Sequence, residues 1–297
     1  MRGRFVLGYG AALASAALVG LFTVLNKWLL VEQVPALTAG AWTYFAAGLA
    51  LLPWAIRARG LHFKRPAILI LWLLAGSVIG PSFYLLGLKL TSGVQGVLMI
   101  NMEAVFTALL AFALFREKLT LATVGASLAV LAGGGWLSWP ESGASLLAGS
   151  ALGNLLIALG YLGWGTENNL GRILGEDIPA VTLVSLKALV AALAMGILAL
   201  AFGQPLAVPL RVMPGILGSG SFSLGLSLAF FYVAMRYIGA GRTGLILSTS
   251  TFWGVVGAVL LLGEALTTRT VVGGLLMVPG LVLFYWESTR QSEIKAT

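Results

Sequence analysis

Ionisable side chains inside long apolar runs are the residues best placed to do chemistry in this chain, because a charge in hydrocarbon persists only beside a partner, a cavity or water. Glu103 stands near the middle of one such run, with Asn101 two residues before it and Gln95 nearer its start. A carboxyl there can line a solute cavity and carry a proton, or it can staple helices together through a hydrogen bond. Glu167 and Lys187 fall in two consecutive runs at similar depth from the connector that joins them. That spacing predicts an ion pair, either a structural neutralisation of two buried charges or a gate. Trp164, in Tyr161-Leu162-Gly163-Trp164-Gly165, is flanked by glycines expected to make room beside its ring. It could form an apolar wall of a solute cavity, a role for which Tyr84, Met99 and Trp253 are placed similarly. Ser219, Ser221, Ser223 and Ser227 form a hydroxyl-rich stretch followed by Ser248, Thr249, Ser250 and Thr251. Hydroxyls of this kind mostly serve helix packing, with Ser223 the one expected to meet solute.

Other chemistries lack their parts. Cysteine is absent, and the single histidine, His62, sits in a basic stretch with Arg57, Arg59, Lys64 and Arg65. Thiolate metal sites, disulfides and a Ser-His triad are therefore excluded. The apolar runs hold no Asp-Asp, His-Glu or Cys-His constellation, so no catalytic residue, metal or cofactor is expected. Gly133-Gly134-Gly135 lies inside an apolar run and is no phosphate loop; without a Walker sequence, coupling to ATP would need another subunit. The formal charge of +8 does not point to nucleic acid, since the basic residues lie between apolar runs instead of alternating with stacking aromatics.

The elements that must position these residues follow from composition. Of 297 residues 59% are hydrophobic and 9% charged, whereas a water-exposed globule carries about 25% charged residues. Most of the surface must face lipid, where helices satisfy their own backbone hydrogen bonds. Ten apolar segments are expected, at 8–30, 35–56, 67–88, 93–115, 120–138, 148–170, 179–202, 212–235, 242–262 and 267–286. Their connectors carry Pro35, Pro66, Thr91-Ser92-Gly93, Pro140, Pro179, Pro209 and Pro214. Met1-Arg2-Gly3-Arg4 and the following run read as an uncleaved first span. With the N-terminus in the cytoplasm, thirteen basic residues collect on that side: Arg2, Arg4, Arg57, Arg59, Lys64, Arg65, Arg116, Lys118, Arg172, Arg236, Arg242, Arg290 and Lys295. Only Lys27, Lys89, Arg211 and Arg269 fall on the other. This bias sets both termini inside. Trp28, Trp54, Trp139 and Trp286, near span ends, read as interfacial anchors.

The chain also repeats itself. Leu29-Leu30-Val31-Glu32-Gln33-Val34-Pro35-Ala36-Leu37-Thr38 recurs as Ile173-Leu174-Gly175-Glu176-Asp177-Ile178-Pro179-Ala180-Val181-Thr182. Phe83-Tyr84, Gly93 and Gly96 match Phe231-Tyr232, Gly241 and Gly244; Glu117, Leu119, Thr120 and Trp139 match Glu264, Leu266, Thr267 and Trp286. Three ordered matches indicate a duplication, with a first repeat at 1–143 and a second at 144–297 forming one membrane domain. Five spans per repeat is an odd number, so the second repeat enters the membrane inverted, a common ground plan of alternating-access carriers. The fold class expected is an all-α polytopic membrane protein of ten transmembrane helices in two five-helix inverted repeats, N-in and C-in.

These features resemble the drug/metabolite transporter superfamily, specifically its EamA-type ten-span carriers and among them the YddG-like amino-acid exporters. The resemblance rests on Gly93-Val94-Gln95-Gly96 through Phe115-Arg116-Glu117-Lys118-Leu119-Thr120, and on Gly241-Arg242-Thr243-Gly244 through Gly263-Glu264-Ala265-Leu266-Thr267. It implies a secondary transporter of the bacterial inner (plasma) membrane exporting aromatic or small neutral amino acids, or related metabolites, by alternating access, with proton coupling open. A drug, sugar-phosphate or nucleotide-linked metabolite carrier is the alternative. Its partners would be a small-molecule substrate and membrane lipid, not nucleic acid. The sequence departs from the family where members often carry a proline midway along the fourth and ninth spans: here stand Met102-Glu103-Ala104 and Ser250-Thr251-Phe252.

Overall fold

Prolines and hydroxyls set where the helices begin. Pro35 and Pro179 each immediately precede the second helix of a repeat, and Pro66 opens the third helix of the first. The fifth helix of each repeat starts on the same device. Thr120 accepts from the backbone N–H of Thr123 at 3.1 Å, and Thr267 from that of Thr270 at 3.2 Å. A computed structural model describes residues 2–58, 64–116, 120–139, 149–174 and 178–294 of the chain.

Among the described residues the chain forms ten helical rods. They are α1 (Arg2–Val31), α2 (Ala36–Arg57), α3 (Pro66–Leu90), α4 (Gly93–Phe115), α5 (Leu121–Ser138), α6 (Gly149–Leu174), α7 (Ala180–Ala201), α8 (Leu210–Ile238), α9 and α10 (Thr268–Ile294). Rod α9 is in two pieces, Ala240–Leu247 and Ser250–Leu262, so that eleven helices can be counted. Seven rods are long and apolar enough to cross a bilayer by length and composition, not the ten expected. The other three are α6, which carries Asn154, Glu167, Asn168, Asn169 and Arg172, and α9 and α10, whose apolar stretches Ser250–Leu262 and Thr268–Leu283 are shorter. Glu117 and Leu119, Gly175-Glu176-Asp177, Arg59, His62, Lys118, Pro140, Lys295 and the 143/144 repeat boundary lie outside the described residues, as do the side chains of Arg2, Arg4 and Arg290.

The main helix pairings recur when the two repeats are exchanged. α1 packs on α8 as α6 packs on α3; α4 packs on α6 as α9 packs on α1; α2 packs on α8 as α7 packs on α3. α2 with α7, α4 with α9 and α5 with α10 pair across the repeats with their own counterparts. Successive rods alternate in direction. At one end, Arg65 at the start of α3 donates to Ile173 O near the end of α6, Thr182 near the start of α7 to Ala55 O near the end of α2, and the Arg172 guanidinium lies 5.4 Å from the Phe115 ring centroid. This end, which also carries Arg57, Arg116 and Arg236, is the basic end.

Both third rods depart from α-geometry at matched places. α3 widens to a π-helix over Leu74–Ile79 and α8 over Gly218–Leu226, stretches rich in glycine and serine. Midway along α4 and α9 the helix also breaks, although neither carries a proline there. In α4 a 3₁₀ turn spans Met99–Asn101, where the Asn101 side chain donates back to Leu98 O at 2.9 Å. In α9 Thr249 Oγ1 donates to Ile246 O at 2.6 Å beside the break at residues 248–249. Polar side chains competing for the helix's own carbonyls do the work of a proline.

Candidate functional site

Helices α1, α2, α4, α6, α7, α8 and α9 line a cavity of about 360 Å³. Its lining runs from Phe22, Tyr44 and Ile100, near the middle of their helices, to Val184, Phe231 and Leu247, nearer the basic end. At that end these last residues lie within about two helical turns of the termini of α7, α8 and α9.

One wall holds the charges. Lys187 Nζ on α7 pairs with Glu167 Oε2 on α6 at 2.6 Å. The Glu167 carboxyl is pressed against Gly76 in the π-helix of α3, where any β-carbon would overlap the carboxylate. Glu103 on α4 accepts from Asn168 Nδ2 at 2.7 Å, and the same amide lies 3.3 Å from Thr107 Oγ1. One ammonium therefore faces two carboxylates, and Glu167 already neutralises it.

The floor is aromatic. Trp164 packs on Tyr161 with ring centroids 5.1 Å apart and on Tyr84 at 5.2 Å, and its indole N–H donates to Gly76 O at 3.3 Å. Phe22 stacks on Tyr84 at 5.9 Å and meets Tyr44 edge-on at 6.4 Å. The opposite wall carries hydroxyls. Ser15 on α1 donates to Ser227 O at 2.9 Å, and Ser227 to Ser223 O at 2.6 Å. Ser223, in the π-helix of α8, is 1% exposed and its hydroxyl has no hydrogen-bond partner among the described residues. A buried hydroxyl without a partner calls for an explanation, and Ser223 is among the residues that line the cavity. Ser223→Ala should therefore leave the thermal midpoint of the purified protein within about 1–2 °C of wild type, since no protein bond is lost. Its effect should fall instead on the half-saturating concentration of the transported solute.

Of the side chains expected at a cavity, Trp164, Glu103, Ser223, Glu167 and Lys187 line this one. Four others stand outside the lining. Tyr84 is fully buried behind the floor, its hydroxyl donating to Thr23 at 2.8 Å. Met99 is 1% exposed in the core. Asn101 is turned toward Met277 and Thr251. Trp253 packs edge-on to Phe252, and its buried indole nitrogen has no hydrogen-bond partner among the described residues. Met99 and Asn101 lie in the 3₁₀ turn of α4, where Ile100 between them lines the cavity and they do not. The glycines beside Trp164 also act differently from the expectation. A β-carbon on Gly163 would lie 3.0 Å from Ala75 O, and one on Gly165 2.9 Å from Phe106 Cβ, so they admit α3 and α4 and do not make room for the ring. Gly80 does that, its β-position being 2.7 Å from Trp164 Nε1.

Phe22, Tyr44, Tyr161 and Asn168 line the cavity without having been expected there. A signal existed for two: Tyr161, Trp164 and Asn168 recur at i, i+3 and i+7, one face of α6.

A bundle with repeat-exchange symmetry around a cavity of small-solute size defines a membrane carrier in architecture. The sequence matches the EamA-like transporter family over residues 6–139 and again over 151–286. The chain belongs to that family: it is a multi-pass secondary transporter built from two EamA units, not an enzyme. An uncharacterized transporter of Methanothermobacter thermautotrophicus (strain Delta H) is 29% identical over 300 residues, covering 95% of this chain and 87% of that one. A solved crystal structure is similar over 98% of this chain and 99% of its own, with a TM-score of 0.63 at 19% identity, a likeness of fold.

Proposed function

We propose that this protein carries amino acids, or closely related metabolites bearing an amine, across the inner (plasma) membrane of a bacterium by alternating access. The observation that carries the reading is the cavity's make-up: Glu103, Asn168 and the Glu167–Lys187 pair on one wall, the serines Ser15, Ser223 and Ser227 on the other, and Tyr44, Tyr161 and Trp164 between them. A zwitterionic headgroup would bring its ammonium to the Glu103 carboxyl and its carboxylate to Lys187 in competition with Glu167, while an apolar side chain finds the rings. The volume suits one such solute. In this reading all ten rods span the membrane, the second repeat is inverted, the termini are cytoplasmic, and the cavity lies toward the cytoplasmic side. Export then begins from this state.

The second reading is an organic amine without a carboxylate. It is favoured by the neutralisation of Lys187 by Glu167, which leaves Glu103 as the unopposed charge beside aromatic faces. A phosphorylated metabolite is disfavoured, since a dianion would meet two carboxylates and one already paired ammonium.

Counterflow of labelled amino acids in proteoliposomes, with and without a pH gradient, tests the reading. Counterflow of neutral amino acids that amines lacking a carboxylate fail to inhibit is the expected result. Inhibition by simple amines with no amino-acid counterflow selects the second reading, and no counterflow of either overturns both. Gradient dependence lost in Glu103→Gln would assign Glu103 a proton-coupling role.

A further inference from the structure

At the end of the bundle away from the cavity, two charged side chains from different repeats hold the same turn. The turn joins α3 to α4 through Thr91 and Ser92. Lys27, four residues before the end of α1, donates to Leu88 O at 3.0 Å and to Thr91 O at 2.6 Å, carbonyls left without helical partners at the end of α3. Glu264, just past the end of α9, receives Gly93 N–H on Oε1 at 2.6 Å and Val94 N–H on Oε2 at 2.8 Å, the first free amides of α4. A cation sits on a helix C-terminus and an anion on a helix N-terminus, so each side chain also meets the favourable end of a helix dipole. Gly93 is what lets α9 come so near: a β-carbon there would lie 2.7 Å from Leu262 Cδ1 and 3.1 Å from Glu264 Oε1. Beneath the clamp the Thr91 hydroxyl meets the side chains of Gln95 and Asn154, and Asn154 Nδ2 donates to Leu137 O at 2.9 Å. One turn thus gathers α1, α3, α4, α5, α6 and α9.

We propose that Lys27 and Glu264 are the gate residues of transport on this side: together they close the path from the cavity to the end opposite the basic end, and both must release the α3–α4 turn for the cavity to open there. The inference rests on the alternating-access reading, but not on the identity of the solute. Both residues act on backbone groups, so no substitution can replace one partner by a complementary other; a neutral isostere is the cleanest lesion. Glu264→Gln keeps the shape but puts an amide donor group against one of two N–H donors. Lys27→Met keeps the stem and removes the charge. Each should raise the population open toward this end.

The absence of cysteine supplies a silent background for the test. A reporter at Val24→Cys, fully buried three residues before Lys27 on α1, reads opening at this end; one at Leu228→Cys in the cavity lining reads the basic end. Labelling by a water-soluble maleimide in nanodiscs needs no solute. In Glu264→Gln and in Lys27→Met the Val24 reporter should react about tenfold faster or more, because charge-assisted bonds to the turn are lost, while the Leu228 reporter slows or is unchanged. Arg211→Gln is the control. Its pair with Glu32, 3.4 Å apart at the same end, is solvent-exposed, and its loss should leave Val24 labelling unaltered. Unchanged Val24 labelling in both clamp variants overturns the gate. So does an equal rise in Arg211→Gln, or a rise at both reporters, which would mark general loosening. A wrong solute assignment would leave the labelling result intact, so failure of the gate and failure of the substrate reading are separable.

Discussion

Lys187→Met is expected to destabilise the protein by about 3 kcal/mol or more, and Lys187→Met combined with Glu167→Gln to restore most of it. The reason lies in what each variant leaves behind. Glu167 has 9% of its side-chain surface exposed and Gly76 packed on its carboxyl, so it cannot turn to water once the ammonium 2.6 Å away is gone. An uncompensated carboxylate in a low-dielectric site is the costly species, whereas a neutral amide beside a thioether carries no such penalty. Lys187 keeps 21% exposure toward the cavity, which puts the expected loss at the low end of the range for breaking a buried pair. Thermal unfolding of the purified protein in detergent measures it: a drop of roughly 6–12 °C for the single variant and within about 3 °C of wild type for the double one. Equal drops in both would mean that the pair stabilises through specific geometry and not by mutual neutralisation. Transport then reads the second role separately. A double variant that is stable but inactive assigns the pair to the transport cycle.

The residues that the sequence exposed most clearly were those whose burial is expensive. Glu103, Glu167 and Lys187 stand out in apolar runs because few charges survive there, and all three line one cavity. Helix starts were legible within a few residues from the second helix on because proline and threonine mark them locally, whereas the polar ends of α1 and α10 run six and eight residues beyond the apolar segments expected. The repeat was legible because matched polar and proline positions keep their order. The failures have a common cause. Tyr84, Met99 and Trp253 share the depth of Trp164 along their helices and Asn101 neighbours Glu103 in sequence, but neither depth nor nearness says which face a residue occupies once a 3₁₀ or π turn intervenes. Such turns arise at Asn101, Thr249 and the glycine-serine stretch 218–226 from side-chain competition and weak helix propensity, not from a proline that can be read directly. Tyr44 and Phe22 carried no signal at all, since an aromatic ring in an apolar run is as much at home against lipid as against a cavity. The glycines around Trp164 show the same limit: that small residues permit approach is legible, and which neighbour approaches is not.

Trp164→Ala should reduce transport at least tenfold, and Trp164→Phe by only a few-fold. Trp164 joins three parts of the site: it lines the cavity, its ring lies against Tyr84 and Tyr161, and its indole N–H reaches Gly76 O beside the Glu167 carboxyl. Removing the ring opens space within the floor, so a solute side chain loses its apolar contact and the neighbouring rings lose the surface that fixes them. Alanine should also lower stability by about 3–5 kcal/mol, the usual cost of deleting a buried tryptophan. Loss of activity alone would therefore not separate a missing wall from a misfolded protein. Phenylalanine separates them, because it keeps a ring against Tyr84 and Tyr161 and forfeits only the indole hydrogen bond, about 1 kcal/mol. Counterflow measured on the folded fraction of each variant, isolated by gel filtration, gives the decisive comparison. If folded Trp164→Ala protein moves solute at the wild-type rate, the cavity described here is not the solute path. If Trp164→Phe is as inactive as alanine while remaining stable, the indole N–H matters more than the ring, and the link to Gly76 becomes the part of the site through which the π-helix of α3 senses the solute.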